Sequence, residues 1–258
     1  MQNMGILGQL VELTRRLGEP SKDYVILGEG NTSARADEAT YWVKTSGSSM
    51  VSIGPDGFVR VRFAPVLELL DAGDLADDEV KARLVAAKAD PQAQGHPSIE
   101  ALLHALCLSL PGVSFVGHTH PVAVNAVLCS VRAQEAVAGR IFPDEIVVCG
   151  PAPAFVPYAD PGIPLARAVW RSLTQYMDDY GGPPKTVYIQ NHGLIALAQV
   201  PVEVENITAM AVKVARIVQG TYAVGGPRFL SAKDVERIHT RPDEDRRRAK
   251  LLGQKGAD

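Results

Sequence analysis

The chain has 258 residues, 46% of them hydrophobic and 21% charged, an ordinary globular balance that allows a sizeable core in one domain or at most two. A formal net charge of −3 with scattered Lys and Arg offers no nucleic-acid surface, and no apolar run reaches the roughly eighteen residues of a membrane span. The N-terminus lacks the basic-then-apolar order of a secretory peptide, and Cys107, Cys129 and Cys149 stand apart in apolar surroundings, so a reducing cytoplasm and no disulfide framework are expected.

In chain order, Ile6, Leu10, Leu13 and Leu17 recur on one face and predict a helix over 6–17, stopped by Gly18-Glu19-Pro20. Residues 24–27 (YVIL) read as a strand opening into the polar turn Gly28-Glu29-Gly30-Asn31-Thr32-Ser33. That turn lacks the Walker pattern but can present backbone amides and the Asn31, Thr32 and Ser33 side chains to an anion. Tyr41-Trp42-Val43 predicts a second strand, followed by a second polar turn, Lys44-Thr45-Ser46-Gly47-Ser48-Ser49. Each turn alone is most simply a turn; the pair, each after a strand, suggests a small-anion cradle. Gly54-Pro55-Asp56-Gly57 turns the chain into a strand at Phe58-Val59-Arg60-Val61, making 24–63 a small, mostly β region. Helices are predicted over 66–70 and 78–89, the second with an acidic start that suits the helix dipole.

The stretch 96–120, HPSIEALLHALCLSLPGVSFVGHTH, organises the rest. Pro97 and Ser98 look like helix-start residues, and Ile99, Leu102, Leu103, Leu106 and Leu110 then mark an amphipathic face. Glu100, His104 and Cys107 fall on another stripe, and Pro111-Gly112 ends the helix. Val113, Phe115 and Val116 suit a buried strand that delivers His118 and His120 at its end, both pointing the same way.

Beyond it, a helix is predicted over 121–129 and another over 134–138, then a short apolar strand over 145–149 ended by Gly150-Pro151-Ala152-Pro153. The loop 157–162 leads to a helix over 165–177, and 185–190 is a strand followed by Asn191-His192-Gly193-Leu194. The apolar signal continues over 194–198, a long helix over 203–219, and a charged last helix over 232–251 with a frayable tail, whose Arg246-Arg247-Arg248 is most simply a solvated face. Helices interleaved with short strands give a layered α/β domain, and the absence of GxGxxG after the first strand speaks against a classical dinucleotide fold.

A lone histidine is more often a hydrogen-bonded core or surface residue than a ligand. His-x-His at the end of one strand plus His192 after another is nevertheless the usual layout of a catalytic three-nitrogen zinc site with an open fourth position. Glu100 is then a candidate acid or base.

Five segments in order, GEGNTSAR (28–35), KTSGSS (44–49), PSIE (97–100), GHTHP (117–121) and NHGLI (191–195), carry a resemblance to the class II aldolase/adducin family. Its best-known enzymes are L-fuculose-1-phosphate and L-rhamnulose-1-phosphate aldolases. The wording is most similar to the aldolase half of longer proteins that join a rhamnulose-phosphate aldolase-like module to a dehydrogenase, and this chain is expected to hold only the first, as a single domain over 1–258. The resemblance implies an α/β/α layered fold around a central, largely antiparallel sheet. It implies His118, His120 and His192 as ligands of Zn2+, with Mn2+ or Co2+ as alternatives, and Glu100 as the group that moves a proton during carbon–carbon cleavage. Asn31, Thr45 or Ser46, Gly47 and Ser98 match positions that hold a substrate phosphate. A phosphorylated sugar, cleaved through a zinc-stabilised enediolate, and a cytoplasmic homotetramer are implied in the same way, with no nucleic-acid or membrane partner.

Two departures stand out. Ile99 replaces a serine of the fuculose-phosphate pocket, and 131–141 lacks the tyrosine that a neighbouring subunit supplies in those enzymes; Tyr158 is the more distant candidate, with loop packing as its alternative role. The rivals to an aldolase are a decarboxylase of 3-oxo acids, a sugar-phosphate dehydratase or an epimerase of the same fold. A non-catalytic, adducin-like interaction domain is the rival of another class, and the intact histidines and Glu100 speak against it.

Overall fold

A computed structural model describes residues 5–73 and 75–252. Seven strands form one sheet: β1 (Asn31–Arg35), β2 (Thr40–Lys44), β3 (Phe58–Arg62), β4 (Phe115–Thr119), β5 (Ala154–Val156), β6 (Thr186–Ile189) and β7 (Gly193–Ala198). Their order is β3-β2-β1-β4-β7-β6-β5, and every pair is antiparallel except β5 with β6. The 24–63 β region is therefore the continuation of the central sheet and not a separate piece.

Strand alternation sends successive side chains to opposite faces and builds two cores. Val116, Ile195 and Leu197 join the core beneath α2 (Phe63–Leu67), α4 (Ala101–Ser109) and α8 (Ile163–Tyr180). Phe115, Leu194 and Ala196 join the core under α1 (Ile6–Leu17), α5 (Val122–Leu128) and α9 (Pro201–Thr221). At Gly117 a Cβ would lie 2.5 Å from Val204 Cγ1, so the missing side chain lets α9 come down onto the middle of β4. Helices α3 (Asp77–Ala86), α6 (Ala133–Ala136), α7 (Pro143–Cys149), α10 (Ala232–His239) and α11 (Pro242–Leu251) complete the chain. The result is the expected layered arrangement with a central, largely antiparallel sheet.

Four local expectations are corrected. Residues 24–27 are not a strand. Leu27 has φ 52°, Ile26 and Leu27 are exposed, and the segment ties to the sheet's end through a bond from His120 N to Tyr24 O of 2.9 Å. The strand begins at Asn31 instead, so Asn31, Thr32 and Ser33 lie in β1, where all three pair with β4 and Ser33 also pairs with β2. Residues 145–149 are helical, because Pro143 opens the first turn and Asp144 and Glu145 meet its positive end. The apolar run that suggested a strand is that helix's buried side. Ala154–Val156 is a strand that its proline-rich surroundings hid, and Pro242 splits the charged last helix into α10 and α11. The expected frayed tail lies outside the described residues.

One buried charge sits far from the histidines. Arg140 is 1% exposed and donates to Glu145 Oε1 at 2.9 Å, to Gly150 O at 2.9 Å and to Cys149 O at 2.6 Å, while Glu145 Oε2 accepts from Ile141 N at 2.9 Å. The pair clamps both ends of α7. Truncating one partner strands the other charge without water, so Arg140→Ala should lower the unfolding free energy by about 3–5 kcal/mol in urea titration. Arg140→Met combined with Glu145→Leu should recover most of that loss.

Candidate metal centre and active-site cavity

His118 lies on β4 with Asn31 of β1 opposite it on one side and Ile195 of β7 on the other. His120 follows one alternation later, just past the strand. His192 arrives from the β6–β7 turn, where Asn191 takes φ 55° and the side-chain amide of Asn125 on α5 holds the His192 carbonyl at 3.0 Å. Gly193 allows this turn to close, since a Cβ there would lie 2.6 Å from His120 Cδ2 and 2.7 Å from Thr119 O.

The rings converge on Nε2. His118 Nε2 is 3.1 Å from that of His120 and 3.2 Å from that of His192. His118 Nδ1 lies 3.1 Å from the carbonyl of Leu194 and His120 Nδ1 lies 3.2 Å from Glu29 Oε2; both partners are acceptors, so both Nδ1 atoms carry the proton. The three Nε2 atoms then face one another, and a proton on one of them or a cation between them relieves the contact. Carbonyl and carboxylate partners behind ligating imidazoles are the usual support of a metal site, and the three donor nitrogens, all within 4.8 Å, fit a divalent ion.

Glu100 sits immediately before α4. Its Oε1 is 3.2 Å from His192 Nε2 and 3.6 Å from His118 Nε2, and its Oε2 accepts from Asn31 Nδ2 at 2.6 Å. Burial opposes its charge, but the positive charge at His118 and hydrogen bonds from His118, His192 and Asn31 hold the carboxyl well below the usual range. For His118, burial disfavours the cation, yet Glu100 outweighs it and raises the value. Burial and its two histidine neighbours lower His120 to about 4. One positive charge facing Glu100 is what this site favours.

A cavity of about 720 Å³ opens from Glu100, Asn31 and His120. Its walls include Gly28 and Glu29 of the first polar turn, Ser46 and Gly47 of the second, and Ser98; α3 supplies the far rim through Asp78 and Lys81. The two turns meet, since a Cβ on Gly28 would lie 3.5 Å from Gly47 O. The second also bonds to the segment before Glu100 through Ser46 N and His96 O at 3.0 Å. Ser98 is not in the helix, which starts at Ala101; its hydroxyl is buried with no partner, and it borders the cavity. Thr45 turns inward instead, its hydroxyl 2.6 Å from Ser48 Oγ and donating to Gly57 O at 3.1 Å, and it is not among the lining residues. Tyr158 is also absent from the lining. It is 57% exposed on its loop, and its hydroxyl donates to Asp160 at 3.1 Å.

Lys44 was missed by the sequence reading. It is 2% exposed, borders the cavity, and has only the carbonyls of Gly28 and Thr45 as hydrogen-bond partners, at 3.3 and 3.4 Å. The signal available was its place at the last position of a strand, ahead of a polar turn. His104 is the other unforeseen member, fully buried between Ser33 and Asn31.

Burial lowers His104 to about 3 from 6.5. Between those values the unfolded chain binds one more proton at this residue than the folded chain, so stability falls as pH falls through that window, by at most about 1.4 kcal/mol per pH unit. Urea titrations from neutral pH down to about pH 5 should therefore show the wild-type protein losing more stability on acidification than His104→Gln.

The profile described as Class II Aldolase and Adducin N-terminal domain matches residues 8–219. Among curated sequences, the chain is 27% identical over 176 residues to an uncharacterized oxidoreductase, YuxG, of Bacillus subtilis (strain 168). That match takes in 65% of this chain but only 23% of the relative, so the relative's own activity belongs to a much longer protein. Among solved structures, the N-terminal class II aldolase domain of a conserved protein from Thermoplasma acidophilum superposes with a TM-score of 0.67 at 23% identity, covering 84% of this chain and 95% of that one. An L-fuculose 1-phosphate aldolase gives a TM-score of 0.67 at 17% identity, covering 93% and 96%. YgbL from Klebsiella pneumoniae, named with aldolase, epimerase and decarboxylase as alternatives, gives 0.64 at 18%, covering 90% and 97%. These structures share the fold. Because the profile runs from the first helix almost to the end of α9, and so takes in all seven strands and the whole histidine cluster, the chain belongs to the class II aldolase/adducin family.

Proposed function

We propose that this protein is a metal-dependent aldolase that cleaves a ketose 1-phosphate, or a related hydroxy-ketone, into a dihydroxyacetone-phosphate-like product and an aldehyde. The observation that carries the reading is one cavity lined by two unlike sets of groups. Glu100 and His120 border it, with His118 and His192 next to them, and so do Lys44, the unpartnered Ser98 hydroxyl and the polar turn at Ser46-Gly47.

His118, His120 and His192 would hold the metal, proposed as Zn2+, with Mn2+ or Co2+ as alternatives. When bound, it supplies Lewis-acid polarisation of a carbonyl and the neighbouring hydroxyl. Glu100 exchanges a proton with the substrate carbon that becomes nucleophilic when the carbon–carbon bond breaks; its Oε2 is tethered to Asn31, leaving Oε1 on the histidine side. Lys44, Ser46, Gly47 and Ser98 orient the substrate by its anionic end, fixing the reacting carbons relative to Glu100. Asn31 serves both sets, through its amide to Glu100 and its place in the wall. Thr45 supports the turn from behind.

Tyr158 lies outside the cavity of its own chain, so its proposed part at the aldehyde side would be exercised from a neighbouring copy in a homotetramer. Sedimentation of the purified protein should give four copies, and a monomer would remove Tyr158 from the mechanism.

A decarboxylase of 3-oxo acids is the second reading. Ile99 borders the cavity where the fuculose-phosphate enzymes carry a serine, which leaves a phosphate one hydroxyl short. The experiment is a screen of zinc-loaded protein against L-fuculose 1-phosphate, L-rhamnulose 1-phosphate and 3-oxo acids, with aldehyde and carbon dioxide followed in parallel. Aldehyde release is expected, falling by about a hundredfold or more in Glu100→Gln. Carbon dioxide without a new aldehyde would move the protein to the decarboxylases. Zinc binding with neither product would end the aldolase reading and leave the dehydratase, epimerase and adducin-like alternatives.

A further inference from the structure

The histidine cluster has a fourth neighbour that is not part of it. His104 is fully buried on α4, one turn after Glu100, and its backbone N bonds to Glu100 O at 3.1 Å. Both of its ring nitrogens are engaged away from the cluster: Nδ1 is 2.6 Å from Ser33 Oγ, and Nε2 contacts Asn31 Oδ1. The sheet register explains how these groups meet. Asn31 pairs with His118, and Ser33 pairs with Val116, so the two side chains stand on the face of β1 that α4 covers.

The direction of every hydrogen bond in this group follows from one end. Ionised Glu100 can only accept, so the amino group of Asn31 must face it, as it does at 2.6 Å. The Asn31 carbonyl oxygen then faces His104 and can only accept, so His104 Nε2 must carry the proton. That leaves Nδ1 bare, and it accepts from the Ser33 hydroxyl. Turning the Asn31 amide over would set its oxygen against the Glu100 carboxylate, acceptor against acceptor.

We infer that His104 is a positioning residue: with Ser33 it locks the Asn31 amide so that its amino group holds Glu100 Oε2, and Glu100 Oε1 is thereby aimed at the histidine nitrogens. His104 is neither a metal ligand nor a base here, because both its nitrogens are spent inside the core. A side chain serving only to fill the core would tolerate any substitute of similar size and polarity. A positioning role requires a donor at the place of Nε2.

Two substitutions separate these roles. Glutamine places its amide nitrogen near the position of Nε2 and can keep the bond to Asn31. Asparagine reaches only as far as Nδ1, so it can keep Ser33 but orphans the Asn31 oxygen. The kinetic arm rests on the proposed reaction; a second arm does not. In that arm, solid-state 15N spectra of metal-free, histidine-labelled protein at neutral pH should show His104 as the neutral tautomer protonated at Nε2. In the kinetic arm, with L-fuculose or L-rhamnulose 1-phosphate and melting temperatures recorded alongside, His104→Asn should lower kcat by at least about tenfold while remaining folded, and His104→Gln should restore most of it. A proton on Nδ1, or a folded His104→Asn variant with the kcat of His104→Gln, would overturn the inference. If the wild-type protein turns over neither sugar phosphate, the reading of the reaction fails by itself, and the spectra still decide the role of His104.

Discussion

The bond between His118 Nδ1 and the carbonyl of Leu194 joins sheet and site. It exists because β4 and β7 pair with His118 opposite Ile195, which brings the Leu194 carbonyl beside the ring. That carbonyl holds the Nδ1 proton and so turns Nε2 toward His120 and His192. A slip of one residue in this register would send His118 to the other face, under α1 and α9, and the cluster would not form. The chemistry thus depends on backbone pairing more directly than on any side-chain contact.

The same economy governs the polar groups buried beside it. Asn31, Ser33, His104 and Glu100 come from one strand, one helix and the residue before that helix, yet each has its partner among the others. Unpaired, each would carry a desolvation penalty of about 1–3 kcal/mol; connected, they form a network with one internal arrangement. The other core follows the same rule more simply, as Thr32 and Thr14 share a hydroxyl contact of 2.5 Å. Ser98 is a departure, its buried hydroxyl bordering the cavity with no partner among the described residues.

Much of this was legible in the sequence because it obeys short periods. The alternation at His118 and His120, the helix after Glu100 and the turn at Asn191-His192-Gly193 are local patterns, and each predicted its element. Errors arose where tertiary pairing overrides local signal. Tyr24 to Leu27 has strand composition but joins the sheet's end by one bond, while Asn31 to Ser33 looks like a turn and pairs with β4 along its length. The 145–149 run is apolar on a face that period alone cannot assign to strand or helix, and Pro143 decides it. Lys44 and His104 escaped because their meaning lies in what they meet across the fold, which no spacing along the chain encodes.

The cavity wall is built from two kinds of scaffold, and the difference bears on how such a protein can change. Glu100, the histidines and Asn31 are interlocked with strand register and with the tight closure at Gly193, so few of them can shift alone. The far rim is carried by α3, whose acidic first turn faces solvent and whose Asp78 and Lys81 border the cavity from an exposed helix outside the sheet. Substitutions on that helix can remodel the shape and charge of the entrance without disturbing the nitrogen cluster. The α3 rim can therefore change in shape and charge while the nitrogen cluster and its hydrogen bonds stay in place.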